Sequence, residues 1–168
     1  MERLSELYTY GVLTISDSCS DGSRNDLSGP TIIKTMDAAG YRLVTYRVVP
    51  DGLESVSEAI RETCSSGVAN LLLTTGGTGL SPRDWTPEAT ESVCSRMVPG
   101  IPEMIRLLSS EKVASAWLSR GSAGILNWTL VINLPGSVKA VEECTAFILP
   151  ILGHALEVLC GNVERCGG

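Results

Sequence analysis

A chain of 168 residues, 43% hydrophobic and 19% charged, is long enough for one domain with a substantial core and too apolar to be disordered. Its net charge of -6 and pI near 4.8 provide no basic field to release counterions, which argues against nucleic acid as a partner. Residues 1–6 are polar and no apolar run approaches the roughly 20 residues of a membrane helix, so no secretory leader and no membrane partner are expected.

Strand-like and helix-like patterns alternate along the whole chain, without repeat or linker. Residues 10–15 (YGVLTI) read as a first strand, followed by a polar loop over 16–28. Gly29 and Pro30 open a helix that Gly40 closes. Residues 41–49 alternate and are rich in β-branched and aromatic side chains, which predicts a second strand ending at Pro50-Asp51-Gly52. Val56, Ala59, Ile60, Thr63 and Cys64 recur at helical spacing, so 54–65 is an amphipathic helix. The run 69–73 (ANLLL) reads as a strand buried on both faces. Helices are expected over 87–96, 102–109 and 112–118, and 129–134 (TLVINL) is another buried strand. It runs into Pro135-Gly136-Ser137 and a long closing helix, interrupted near Pro150. Strands joined through helices lie parallel, so this is one α/β domain whose strand ends share one edge of the sheet. Ser16-Asp17-Ser18, Asp51, the segment after the third strand and Pro135-Gly136-Ser137 gather there.

That segment, TTGGTGLSPRDWTPEAT over 74–90, is the most informative in the chain. Gly76, Gly77, Thr78 and Gly79 allow sharp turning and close approach, and a nest of backbone N–H groups binds anions. Thr86 suits an N-cap and Pro87 the first helical position. Gly79 is followed by Leu80, Ser81 and Pro82, so the lysine and hydroxyl of a P-loop are missing. Pro82 stands where the dinucleotide fingerprint needs its third glycine.

Asp51 and Asp84 each follow a strand end. Beside an anion-binding nest, such a pair suits Mg²⁺, which takes one or two carboxylates and completes its shell with phosphate oxygens. Each alone fits a structural part equally well, Asp51 as a turn residue and Asp84 as an acidic group before a helix N-terminus. Arg83 is the best-placed phosphate candidate, whereas Arg24, Arg120 and Lys139 also read as surface charges. The six cysteines contain no C-x-x-C pair and read as reduced and cytoplasmic, with a Cys160–Cys166 bridge disfavoured. His154, the single histidine, lies in an apolar helical run and leaves a histidine triad or zinc site little to draw on.

TISDSCSDGSRNDLSGP (14–30), VVPDG (48–52), TTGGTGLSPRDWTPEAT (74–90), LSRGSAG (118–124) and VINLPGS (131–137) together resemble the molybdopterin adenylyltransferases, the Mog-type proteins and the gephyrin G domain. The resemblance runs in order from about residue 11 to 159. It implies a three-layer α/β/α sandwich with a mostly parallel central sheet, a homotrimer, and adenylylation of molybdopterin by ATP with Mg²⁺. It also implies a molybdenum-insertion protein as a further partner. Asp51 and Asp84 correspond to the family's essential acidic residues. Its ligand loops fall on Ser16, Asp17 and Ser18, on Thr75, Gly76, Gly77, Thr78 and Gly79, on Ser122, Ala123 and Gly124, and on Asn133, Leu134, Pro135, Gly136 and Ser137. Where many members carry a G-I-R-G turn, this chain has Gly124-Ile125-Leu126-Asn127. The missing arginine admits an alternative, a catalytically weakened pterin-binding or scaffold protein of the same fold.

Overall fold

The computed structural model describes residues 8–161. Four parallel strands, one of them at the edge, form one side of a six-stranded sheet: β1 (Thr9–Ile15), β2 (Arg42–Val49), β3 (Leu71–Thr75) and β6 (Thr129–Leu134). The short strands β4 (Arg96–Met97) and β5 (Ala123–Leu126) complete it, and the order is β2-β1-β3-β6-β5-β4. β5 pairs antiparallel with both β6 and β4. Every residue of β1, β3 and β6 is buried, as both-face coverage requires.

Between the strands run α1 (Asp17–Ser20), α2 (Ser28–Ala38), α3 (Leu53–Ser65), α4 (Thr86–Val93) and α5 (Gly100–Ser110), and α6 (Val138–Leu159) follows the last of them. Alternation along β3 divides two cores. Leu71 and Leu73 face Ile32 and Met36 of α2, Ile101 and Ile105 of α5, and Ile148 and Leu152 of α6. Leu72 faces Val56 and Ile60 of α3 and Ala89 of α4. The result is the expected α/β/α sandwich.

Several local expectations change. The closing helix is continuous through Pro150, because Val141, Cys144, Ile148, Leu152 and Leu156 bury one face on both sides of the proline, and that packing outweighs the lost hydrogen bond. The helix expected over 112–118 is a single 3-10 turn, Ala114–Leu118. The segment 122–124 is not all loop, since Ala123 and Gly124 begin β5, which returns through a turn with Asn127 at φ 55 into β6. The polar loop after β1 contains α1, capped by Ser16. Among the described residues Cys19, Cys64, Cys94, Cys144 and Cys160 are free, and burial pushes the thiols of Cys64 and Cys94 up to about 11 and about 12. Cys166 lies outside the described residues. His154 is exposed on α6 with Nδ1 3.9 Å from Glu157.

Candidate active site

The carboxyl ends of β1, β2, β3 and β6 stand side by side, so their loops meet above one sheet edge. Cross-links between neighbouring loops fix them. Thr75 donates to the Pro135 carbonyl at 2.7 Å, Gly76 N to the Leu134 carbonyl at 3.3 Å, and Ser28 to the Gly136 carbonyl at 2.8 Å. Contrary to the expectation from sequence, Thr86 is not the N-cap of α4, a position Trp85 holds; its hydroxyl donates to the Gly76 carbonyl at 2.8 Å, tying the glycine turn to the helix.

Two glycines are required by this geometry. Gly76 has φ +100, and a Cβ there would lie 2.2 Å from the Ile15 carbonyl oxygen. Gly77 has φ +65, and its Cβ would meet the Thr86 hydroxyl at 2.3 Å. Backbone therefore forms this wall of the site.

Above the edge opens a cavity of about 570 Å³, lined among others by Ser16, Asp51, Thr75, Gly76, Gly77, Asp84, Gly136 and Ser137. The N-terminus of α6 faces it, with Ser137 accepting from Ala140 N at 3.3 Å as the cap. Free N–H groups and the helix dipole there favour an anion. Sequence reading missed Asp26, which lines the same cavity and accepts from Thr14 and Tyr46 hydroxyls, both at 2.6 Å, and from the N–H groups of Ser28 and Gly29. Only its place shortly before Ser28-Gly29-Pro30 hints at a capping role for α2.

Asp51 and Asp17 are reciprocally bonded, Asp17 N to Asp51 Oδ2 at 2.8 Å and Asp51 N to Asp17 Oδ1 at 3.0 Å. Burial, then the charges of Asp17 and Asp84, push the Asp51 carboxyl above the usual aspartate range, and the Asp17 N–H and Arg83 draw it part of the way back. Three carboxylates thus crowd one edge. Arg83, expected as a phosphate ligand, instead forks onto Asp17 at 2.9–3.2 Å and donates to the Asp51 carbonyl at 3.2 Å. Asp84 Oδ2 accepts from Ser81 N at 3.1 Å.

The remaining candidates divide. Thr78, Gly79 and Pro135 line an adjoining cavity of about 540 Å³ that Ser137 borders too. Ser122 and Ala123 line a third, of about 410 Å³, and the Ser122 hydroxyl donates to Glu91 at 3.2 Å. Asp17, Ser18, Arg83, Gly124, Asn133 and Leu134 line none of these three. Asn133 is buried with its amide committed inward, accepting from Ser122 N at 3.0 Å and donating to Thr74 and Thr90 at 3.0 and 2.9 Å.

Among the described residues no group of three His, Cys, Asp or Glu is placed to enclose a metal. The donor set fits a hard cation shared with a ligand's phosphates, since Asp51 and Asp84 face one cavity and repel each other, a repulsion that Arg83 offsets only in part. Asp51→Asn is therefore expected to raise the midpoint of thermal unfolding of the ligand-free protein at pH 7. The native carboxyl binds its proton more readily than the unfolded one, so ionised Asp51 disfavours the native state once pH rises through the native pKa. The difference from wild type should close as pH falls below about 3.9, the ordinary aspartate value. Thermal scans across pH check it, and a variant less stable at pH 7 contradicts it.

The family described as "Probable molybdopterin binding domain" matches residues 11–154. The chain belongs to that family. It is 40% identical over 156 residues to a molybdopterin adenylyltransferase of Helicobacter pylori, covering 90% of this chain and 88% of the relative. It is 38% identical to gephyrin of Dictyostelium discoideum, where the match covers 94% of this chain and 23% of that longer protein. The structure superimposes with a TM-score of 0.87 on the molybdopterin biosynthesis enzyme MoaB of Thermus thermophilus, at 39% identity over 94% of this chain and 99% of that one. The molybdopterin-binding fold and family expected from sequence are thus shown.

Proposed function

We propose that the protein is a molybdopterin adenylyltransferase of molybdenum cofactor biosynthesis, using ATP and Mg²⁺. The observation that carries the proposal is the meeting of two carboxylates, a glycine turn and the α6 N-terminus in one cavity, within a chain 40% identical to an enzyme of that name. The terminal phosphate oxygen of molybdopterin forms a bond to the α-phosphorus of ATP, and the bond from that phosphorus to the bridging oxygen breaks. Pyrophosphate leaves with the electron pair. A reaction of this kind needs positioning and charge stabilisation more than a protein nucleophile. Bound Mg²⁺ would supply charge neutralisation on the phosphates, with Asp84 and Asp51 as its carboxylates. Gly76, Gly77 and the α6 N-terminus orient phosphate, and the adjoining cavity past Ser137 gives the second substrate room.

Pyrophosphate release tests the proposal. It should require ATP, molybdopterin and a divalent ion together; release with ATP alone would make the protein an ATP hydrolase, and tight pterin binding without release would make it the scaffold of the alternative reading.

The same reading makes the protein a cytoplasmic homotrimer. Among the described residues no helix is long and apolar enough to cross a membrane. Ile101 and Ile105 of α5 are buried in the chain's own core, whereas Leu107, Val113, Trp117 and Leu118 remain 54–57% exposed within one short stretch of sequence. An apolar surface of that kind suits a subunit contact. Light scattering after size exclusion should give about three times the 17.8 kDa chain mass, near 53 kDa, and a monomer with full activity would refute the trimer.

A further inference from the structure

Arg120 takes no part in the cavity shared by Asp51 and Asp84, and its sequence position suggests nothing more than a surface charge. Its contacts are different in kind. Its backbone N donates to the Thr78 carbonyl at 2.9 Å, Nε to the Gly79 carbonyl at 2.7 Å and Nη2 to the Asp84 carbonyl at 2.7 Å. Nη1 is ion-paired with Glu88 Oε1 in the first turn of α4. One residue thus gathers four acceptors distributed over 78–88, the segment that leads from the glycine turn through Asp84 into the helix.

We propose that Arg120 is the positioning residue that holds Asp84 at its working height in the cavity. The proposal rests on Asp84 being a cation ligand. From its own side the loop closes with Asp84 N on the Ser81 carbonyl at 3.0 Å and Ser81 N on Asp84 Oδ2 at 3.1 Å. That turn sets the side chain relative to its loop, and Arg120 sets the loop relative to the sheet. The planar fork of arginine is required, because a lysine ammonium is a point donor on a flexible stem and cannot meet Gly79, Asp84 and Glu88 at fixed angles. Arg120 is in turn held by its neighbours, since Arg106 Nη1 donates to the carbonyls on either side of it, Ser119 at 3.3 Å and Gly121 at 3.1 Å. Among the described residues Glu88 Oε2 is buried without a hydrogen-bond partner, while its Oε1 pairs with Arg120. Charge at this position therefore serves the fold and fork geometry serves the site, which makes the two roles separable.

Arg120→Lys keeps the charge beside Glu88 and removes the fork. Thermal unfolding, kcat and KM for ATP and molybdopterin, and Mn²⁺ binding in the presence of ATP by electron paramagnetic resonance are measured together. The expected result is a near-wild-type unfolding midpoint and molybdopterin KM, with kcat and Mn²⁺ affinity each lower by about tenfold or more, the scale of a catalytic group displaced by a fraction of an ångström. The double variant Arg120→Met, Glu88→Gln removes both charges, so the fold is not left with an unpaired carboxylate, and it should show the same Mn²⁺ defect. Normal Mn²⁺ affinity and kcat in Arg120→Lys, or a defect in both variants confined to the unfolding midpoint, would overturn the inference. Asp84→Asn is run beside them. If it binds Mn²⁺ and turns over like wild type, the reading of the site fails; if it loses both while Arg120→Lys keeps them, the Arg120 inference alone fails.

Discussion

Asp84→Asn is expected to fold and assemble like the wild type and to lose on the order of 10²-fold or more of its adenylyl-transfer rate, the loss typical of a preorganised electrostatic group. The fold is spared because the hydrogen bonds around this residue mainly use its backbone: its N–H donates to the Ser81 carbonyl and its carbonyl accepts from Arg120 Nη2. The side-chain bond from Ser81 N is also kept, since an amide oxygen accepts as a carboxylate does. What disappears is the charge facing the cavity. Single-turnover rates at saturating Mg²⁺, with an unfolding scan, make the measurement. Near-wild-type turnover would remove Asp84 from catalysis, and a markedly smaller loss in Asp51→Asn would make Asp51 an orienting group behind it.

Gly79→Ala is the second large effect, and it separates the glycines of one turn by role. Gly79 is not among the positive-φ glycines, so alanine is free to take its backbone conformation. The added Cβ would stand 2.9 Å from Asp84 Oδ2, the movable end of a side chain. The protein therefore tolerates the methyl by displacing the carboxylate, and a displacement approaching 1 Å at a catalytic group can cost about 10²-fold. Gly76→Ala meets a backbone oxygen at 2.2 Å with φ +100, has nothing cheap to move, and should fail to give folded protein at all. The expected pair of results is a stable, impaired Gly79→Ala and an insoluble or strongly destabilised Gly76→Ala. A fully active Gly79→Ala would show that Asp84 does not work from the position it occupies here.

The parts of the structure legible in sequence were those with local signals. β1, β3 and β6 announce themselves as short apolar runs because both their faces are covered, and the loops at their ends follow once the strands are parallel. β5 escaped, since AGIL is too short and too rich in small residues to read as a strand until β6 pairs with it. Pro150 misled because a proline penalty is local, whereas the apolar face of α6 that overrides it is tertiary. Side-chain partnerships were the least legible. Arg83 looked free for phosphate beside Asp84, yet Asp17 claims it from 66 residues away. Arg120 looked like a surface charge, because its acceptors at Gly79 and Asp84 precede it by 41 and 36 residues. The family motifs marked segments correctly as conspicuous; they did not tell which residue faces the cavity and which, like Asn133, braces the sheet behind it.

Transfer of an adenylyl group to molybdopterin is tested most directly by mass spectrometry of the pterin. Purified protein is incubated with molybdopterin, ATP and Mg²⁺, and the pterin fraction is analysed against a control in which Asp84→Asn replaces the wild type. The expected product is a pterin heavier by one adenylyl group, formed in proportion to pyrophosphate and nearly absent in the control. Molybdopterin recovered unchanged from protein that binds both it and ATP would contradict adenylyl transfer.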